Sequence, residues 1–140
     1  MTRTDDETIV RAAVAAVAQL PSDAVARLGD ERTLTLLASA STEAVHRKFR
    51  VKPSSELIRG YVNSLKERFP DGADLIKPIV AEAVIRHAFG EEDLLDGMDV
   101  EDIRTILFLL PYAVVSELGI DGSELDDFVE RVIAAADEPE

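Results

Sequence analysis

Apolar residues recur along most of the chain at spacings of three and four, the period of a helix that buries one face. One such stripe ends at Pro70 and consists of Leu57, Ile58, Tyr61, Val62, Leu65 and Phe69. Another follows Ser123, a residue suited to cap a helix, and consists of Leu125, Phe128, Val129, Val132 and Ile133. No stretch alternates apolar and polar residues as a half-buried strand does. The pattern therefore predicts an all-α protein.

The N-terminal segment predicts a helix over about residues 5–19. Thr4 and Glu7 have the spacing of a capping box, which marks a helix start. Pro21 cannot continue the helix and ends it. The apolar face of this helix consists of Ile9, Val10, Ala13, Val14, Val17 and Leu20.

Three shorter helices are predicted between Pro21 and the middle of the chain. The first closes at Gly29, and the second starts near Asp30. The third starts at Ser41 or Thr42 as its cap. Pro53 disfavours helical geometry at the residue before it, so the chain must break there.

The C-terminal half predicts a helix that ends at Gly90, with Pro78 in its first turn. Its stripe consists of Leu75, Ile76, Ile79, Val80, Ala83, Val84 and either His87 or Ala88. A turn-rich connector follows, after which Asp99 can cap a nearly all-apolar helix over residues 100–118. Pro111 removes one backbone hydrogen bond from that helix and is expected to kink or split it.

Together these elements predict a single compact multi-helix bundle of about six to eight helices over residues 1–140. The apolar helix around 100–118 is expected to lie at its centre, and residues 137–140 are expected to fray. A chain of 140 residues with 46% hydrophobic and 31% charged residues can bury one core without disulfides or metals.

Composition excludes several kinds of chemistry. The chain has no cysteine, which rules out disulfides, thiol nucleophiles and cysteine metal sites. Its longest apolar run is too short to cross a bilayer, so no membrane association is expected. The polar, acidic N-terminus does not resemble a secretion signal, so a cytoplasmic location is expected. The net charge of −13 repels phosphate backbones and disfavours nucleic acid as a partner.

The charge is unevenly distributed. Residues 45–68 hold seven basic and two acidic side chains, a net charge of +5, whereas residues 91–140 carry a net charge of −14. One interpretation is a site for an anionic partner. Its candidate residues are Arg47, Lys48, Arg50, Lys52 and Arg59. The other interpretation is that the acidic half neutralises the basic segment internally.

Residues 42–66 resemble a helix-turn-helix motif, with a cap at Ser54 or Ser55 and Arg59 on the second helix. The resemblance implies a DNA-binding transcriptional regulator. The segment departs from the motif at His46, where an inner small residue is usual, and at Arg50, where the tight turn favours glycine.

Glu43 and His46 have the spacing of a metal-binding pair on one helix face. Di-iron bundles need this pair twice, and His87 lacks a carboxylate at the matching position. We therefore predict no metal site and no cofactor, and no residue is assigned a catalytic role. The sequence does not favour an enzyme.

The leading hypothesis is a non-enzymatic helical module for protein interaction or regulation, which binds another protein or itself. Self-association is predicted through the apolar helix, with Ile106, Phe108, Leu109 and Tyr112 as the contact residues. The alternatives are the DNA-binding regulator and a protein that binds a small apolar ligand between helices interrupted by Pro78 and Pro111.

Overall fold

A computed structural model describes residues 3–16 and 20–138 of the chain. Within them lie seven α-helices and one 3-10 helix over Pro70–Leu75. The α-helices are α1 (Arg3–Ala15), α2 (Ser22–Leu28), α3 (Asp30–Phe49), α4 (Ser55–Arg68), α5 (Pro78–His87), α6 (Val100–Leu118) and α7 (Gly122–Asp137). The all-helical class is confirmed, and the eight helices in this part of the chain lie within the predicted six to eight.

Two predicted helix starts are wrong by one or two residues. α1 begins at Arg3, so Thr4 lies in its first turn and does not cap it. α7 begins at Gly122, so Ser123 is likewise inside the helix. Val17, predicted to belong to the first apolar face, lies outside the described residues. So do the last two residues of the segment 137–140.

The predicted helix start at Ser41 or Thr42 is also wrong, because α3 is one helix of 20 residues. Ser41 lies in its middle and is buried. Its hydroxyl donates a hydrogen bond of 3.2 Å to the carbonyl oxygen of Leu107. Serine is favoured at helix caps, but a serine inside a helix can instead donate a hydrogen bond to another helix, as Ser41 does.

The apolar helix predicted over 100–118 is α6, which has those bounds and is not split at Pro111. Proline has no N–H, so the carbonyl four residues earlier loses its helical partner. That carbonyl belongs to Leu107, the residue whose oxygen accepts the hydrogen bond from Ser41. The hydroxyl thus replaces the missing donor and satisfies a buried acceptor.

The chain divides into two compact units, and α3 and α6 contribute residues to both. The first, here called the terminal unit, contains the described residues up to Ala44 and from Leu107 onward. In it α1 packs against α2 and α7. Its largest fully buried side chains include Ile9, Leu36, Leu37, Leu110, Phe128 and Ile133.

Ion pairs add to this apolar core. Asp5 pairs with Arg27 at 2.9 Å. Arg32, on α3, pairs with Asp6 of α1 at 2.8 Å and with Asp137 of α7 at 2.7 Å. It therefore links the end of α7 to α1. The hydrogen bonds that Arg32 donates to the carboxylates of Asp6 and Asp137 raise the pKa of Arg32 above its usual value.

The second unit, here called the central unit, spans Val45–Ile106. In it α4 packs against α5 and the 3-10 helix. Ser54 caps α4 by accepting a hydrogen bond of 3.2 Å from the Leu57 backbone N–H, as the sequence predicted. Its largest fully buried side chains include Val45, Ile58, Leu65, Ile85 and Ile106. No helix in the described part of the chain has the length and apolar character needed to cross a membrane.

Candidate functional site

A cleft of about 250 Å³ runs beside α5 in the central unit. One wall consists of Ile79, Glu82, Ala83 and Arg86. Their spacing of three and four places them in one row along the helix. Val80, Val84 and Ile85 are buried, and α5 packs against α4. The cleft wall is therefore held in place by a rigid helix.

Leu94 and Met98, from the loop after α5, complete the cleft lining. Gly90, Asp93 and Gly97 have positive φ angles of 93°, 67° and 80°. Such left-handed residues reverse the direction of the backbone over a short length. Asp93 is an unusual residue for this conformation, although aspartate is among the side chains that tolerate it.

Glu91 fastens the start of this loop to α5. The guanidinium of Arg86 donates hydrogen bonds of 2.9 and 2.7 Å to the two carboxylate oxygens of Glu91. The ammonium of Lys52 lies 2.9 Å from Oε2 of the same carboxylate. The hydrogen bonds from Arg86 and Lys52 lower the pKa of Glu91 to about 2. The carboxylate is therefore ionised at neutral pH and stays bound to both cations.

Two histidines add contacts to the same segment. His46 Nε2 lies 2.6 Å from the carbonyl oxygen of Ala88, and the His46 ring packs on Phe89 with centroids 5.0 Å apart. His87 Nδ1 lies 3.2 Å from the carbonyl oxygen of Glu91. Across the described residues, no three histidine or carboxylate side chains are placed to hold a metal ion together.

Apolar side chains are exposed at the cleft and next to it in the sequence. Ile79 lines the cleft and is 73% exposed. Leu75, just before α5, is 63% exposed, and Val100, two residues after Met98, is 59% exposed. Of these three, Ile79 is the one that lines the cleft, and an exposed apolar side chain in a cleft is suited to contact another molecule.

Two of the five residues predicted to bind an anionic partner contact acidic side chains within the central unit. Lys52 pairs with Glu91 as described. Arg59 Nε lies 3.8 Å from Oε1 of Glu82, a cleft residue. Lys52 is thus neutralised by the first residue of the acidic segment, and Arg59 by a glutamate that precedes that segment.

The other three occupy different environments. Arg47 and Lys48 are half-buried on the last turns of α3. The Lys48 ammonium lies 5.1 Å from the centroid of the Tyr61 ring, a cation–π distance. Arg50 is exposed in the turn between α3 and α4, where it adopts the left-handed backbone conformation with a φ of 62°.

The four residues predicted for self-association differ widely in exposure. Ile106 is 0% exposed and Leu109 is 4% exposed, whereas Phe108 and Tyr112 are half-buried. Two of the four side chains are therefore already occupied in the core of the single chain.

Little in the amino-acid pattern indicated the cleft. Helical spacing placed Ile79 in the apolar stripe of α5, because it lies three residues after Ile76 and four before Ala83. Leu94 and Met98 lie in a segment whose glycines and acidic residues predicted only a connector. One feature of the sequence did indicate exposed apolar surface here. The apolar residues of α5 lie on more than one face of the helix, and a ten-residue helix in a small unit seldom buries every face.

No protein-family model matches the chain, and no curated protein or solved structure matches it either.

Proposed function

We propose that the chain is a non-enzymatic protein-interaction module, and that the cleft beside α5 receives apolar side chains of a protein partner. The observation that carries the proposal is Ile79, a large apolar side chain that lines the cleft and is 73% exposed. Burying an exposed isoleucine against a partner contributes about 1.5–3 kcal/mol. A shallow site of this kind suits an anchor residue of another protein.

Two features favour a protein over a small apolar ligand. The cleft volume of about 250 Å³ is slightly below the roughly 300–1,000 Å³ typical of small-molecule pockets. Its polar lining residues, Glu82 and Arg86, each have an ion-pair partner within the unit. The surface therefore offers mainly apolar contact, from Ile79, Ala83, Leu94 and Met98.

DNA binding has less support. A helix that reads bases needs several free donors near its N-terminus. On α4 the basic side chain nearest that end is Arg59, which pairs with Glu82. Glu56, in the first turn of α4, repels phosphate.

The proposal is tested by selecting random 12-residue peptides on the full-length chain and measuring their affinity for two matched variants. Ile79→Gln removes the exposed apolar side chain of the cleft. Leu118→Gln makes the same change at a residue of the terminal unit that is 43% exposed. Selected peptides are expected to bind Ile79→Gln roughly tenfold more weakly and Leu118→Gln as tightly as the wild type.

Circular dichroism checks that both variants keep the helical content of the wild type. Substituting exposed side chains is expected to leave the fold intact. Peptides that bind Ile79→Gln and the wild type equally would place the interaction elsewhere and reject the proposal. Failure of the selection to yield any binding peptide would also count against it.

A further inference from the structure

The loop that completes the cleft is acidic. Residues 91–99 hold five acidic side chains and no basic one, and Leu94 and Met98 of this loop line the cleft. Four of the five acidic side chains are exposed; they are Glu92, Asp93, Asp96 and Asp99. Each lies within two residues of Leu94 or Met98, so its Cα atom is at most about 7 Å from that of a lining residue. A segment seated in the cleft therefore has these carboxylates within reach.

The cations near the cleft do not cancel this charge. Three of them, Arg86, Lys52 and Arg59, are bound to two glutamates and leave one positive charge in excess. Lys77, which immediately precedes α5 and is exposed, adds a second. The four exposed carboxylates of the loop outnumber these two charges, and none of the four has a basic partner in the described part of the chain. The surroundings of the cleft are therefore negative.

We infer that the cleft receives a basic, amphipathic segment of the protein partner, in which an apolar side chain packs on Ile79 and lysine or arginine side chains flank it. The inference rests on the proposed function and names the chemistry of the partner. The apolar lining selects the central side chain, and the exposed carboxylates of the loop select the cations beside it. An acidic segment would meet like charge along the loop.

The apolar and charged contacts have different roles. Burial of Ile79 supplies affinity, because removing apolar surface from water is favourable. Exposed charges at the rim of an interface act mainly on the association rate and on the choice of partner. The net charge of −13 on the whole chain attracts a cationic segment at long range, and the loop carboxylates attract it locally. A test must therefore separate the local charge from the net charge.

Two variants of the full-length chain make this separation. The loop variant, Glu92→Gln/Asp96→Asn, removes two carboxylates beside the cleft with little change in side-chain shape. The control variant, Asp121→Asn/Glu138→Gln, makes the same pair of changes at two exposed positions of the terminal unit. Both variants lose the same two negative charges, so any difference between them reports the charge beside the cleft alone.

The probes are the selected peptides that lose affinity for Ile79→Gln, and each is also made with glutamine in place of every lysine and arginine. The original peptides are expected to carry a net positive charge. Surface plasmon resonance should show them binding the loop variant about threefold more weakly than the control variant at low salt, chiefly through a slower association rate. The difference should fade at about 0.5 M salt, where the screening length falls to about 4 Å. The glutamine forms should bind both variants equally.

Neutral or acidic peptides that depend on Ile79 would overturn the inference, and so would basic peptides that bind the loop and control variants equally. Either result leaves the proposed function standing, because the cleft would still bind a protein segment through Ile79. Peptides that do not depend on Ile79 reject the proposed function itself, and the inference falls with it.

Discussion

Glu91 is the residue that joins three parts of the central unit. Its carboxylate accepts hydrogen bonds from Arg86 on α5 and pairs with Lys52 from the turn before α4. Because the loop that follows contributes Leu94 and Met98 to the cleft, the position of one carboxylate helps to set the position of a cleft wall. This makes Glu91 a structural residue of the site and not a contact residue.

The ion pairs of Glu91 predict a specific pH dependence. Its pKa is lowered from 4.5 to about 2, so its contribution to stability is fully present above about pH 4.5. The contribution is lost as the pH falls towards 2, when the folded state takes up the proton that the unfolded state already holds. Glu91→Gln should therefore unfold at a lower temperature than the wild type at pH 7, and this difference should shrink between pH 4 and pH 3.

Thermal unfolding followed by circular dichroism measures the effect. Glu92→Gln is the matched control, since the neighbouring Glu92 is exposed and has no ion pair among the described residues. It should show no such pH-dependent difference from the wild type. A Glu91→Gln variant that melts with the wild type at pH 7 would show that the ion pairs do not stabilise the loop.

At this scale the sequence predicted the presence of basic side chains but not their partners. Lys52 and Arg59 stood out by charge alone. Their partners Glu82 and Glu91 come later in the chain, on α5 and in the loop after it. Which basic side chains these elements meet depends on the tertiary fold. Ile79 was misassigned for the same reason, because helical periodicity does not tell which apolar face of α5 meets α4.

The continuity of α6 at its proline depends on a side chain of α3. Pro111 deprives the Leu107 carbonyl of its helical donor, and the buried Ser41 hydroxyl supplies a substitute at 3.2 Å. Leaving a buried carbonyl without a donor costs about 1–3 kcal/mol. The continuity of α6 through its proline is therefore supported from α3.

This dependence predicts a coupling between the two positions. Ser41→Ala should destabilise the wild type by about 1–2 kcal/mol. In a Pro111→Ala background the new backbone N–H can bond to the Leu107 carbonyl, so the same substitution should cost less than half as much. Chemical denaturation of the four proteins in a double-mutant cycle measures the coupling.

Ser39→Ala provides the control for this cycle. The Ser39 hydroxyl donates a hydrogen bond of 2.7 Å to the carbonyl oxygen of Val132, on α7. Its loss should cost the same with and without Pro111. Equal costs for Ser41→Ala in both backgrounds would contradict the proposed replacement of the missing donor.

The elements themselves were largely predictable. α4 and α6 were predicted closely, because each combines a clear apolar pattern with strong boundary residues. The predicted division of α3 at Ser41 was wrong. Serine is typical of helix caps, but Ser41 lies inside α3 and donates its hydrogen bond to α6 instead. That use depends on the lost donor at Pro111, about 70 residues later in the chain, which local spacing does not reveal.

At the scale of the whole molecule, the structure shows where the charged segments of the sequence lie. The sequence placed a +5 segment at residues 45–68 and a strongly acidic half after residue 91. In the central unit, Lys52 and Arg59 of the first segment are paired with Glu91 and Glu82, and the acidic segment 91–99 contributes Leu94 and Met98 to the α5 cleft. Because these pairs neutralise charge beside the cleft, the exposed apolar side chain of Ile79 carries the proposed interaction.

The most direct test of that site is a titration of the chain with a selected peptide, followed in methyl NMR spectra with the isoleucine, leucine, valine and methionine methyl groups labelled. If a protein partner binds in the cleft, the methyl resonances of Ile79, Leu94 and Met98 should shift progressively as the peptide is added. Those of Leu118 and Leu125 should stay in place. Shifts confined to the terminal unit, or spectra that do not change as the peptide is added, would contradict the assignment of the α5 cleft as the surface that binds a protein partner.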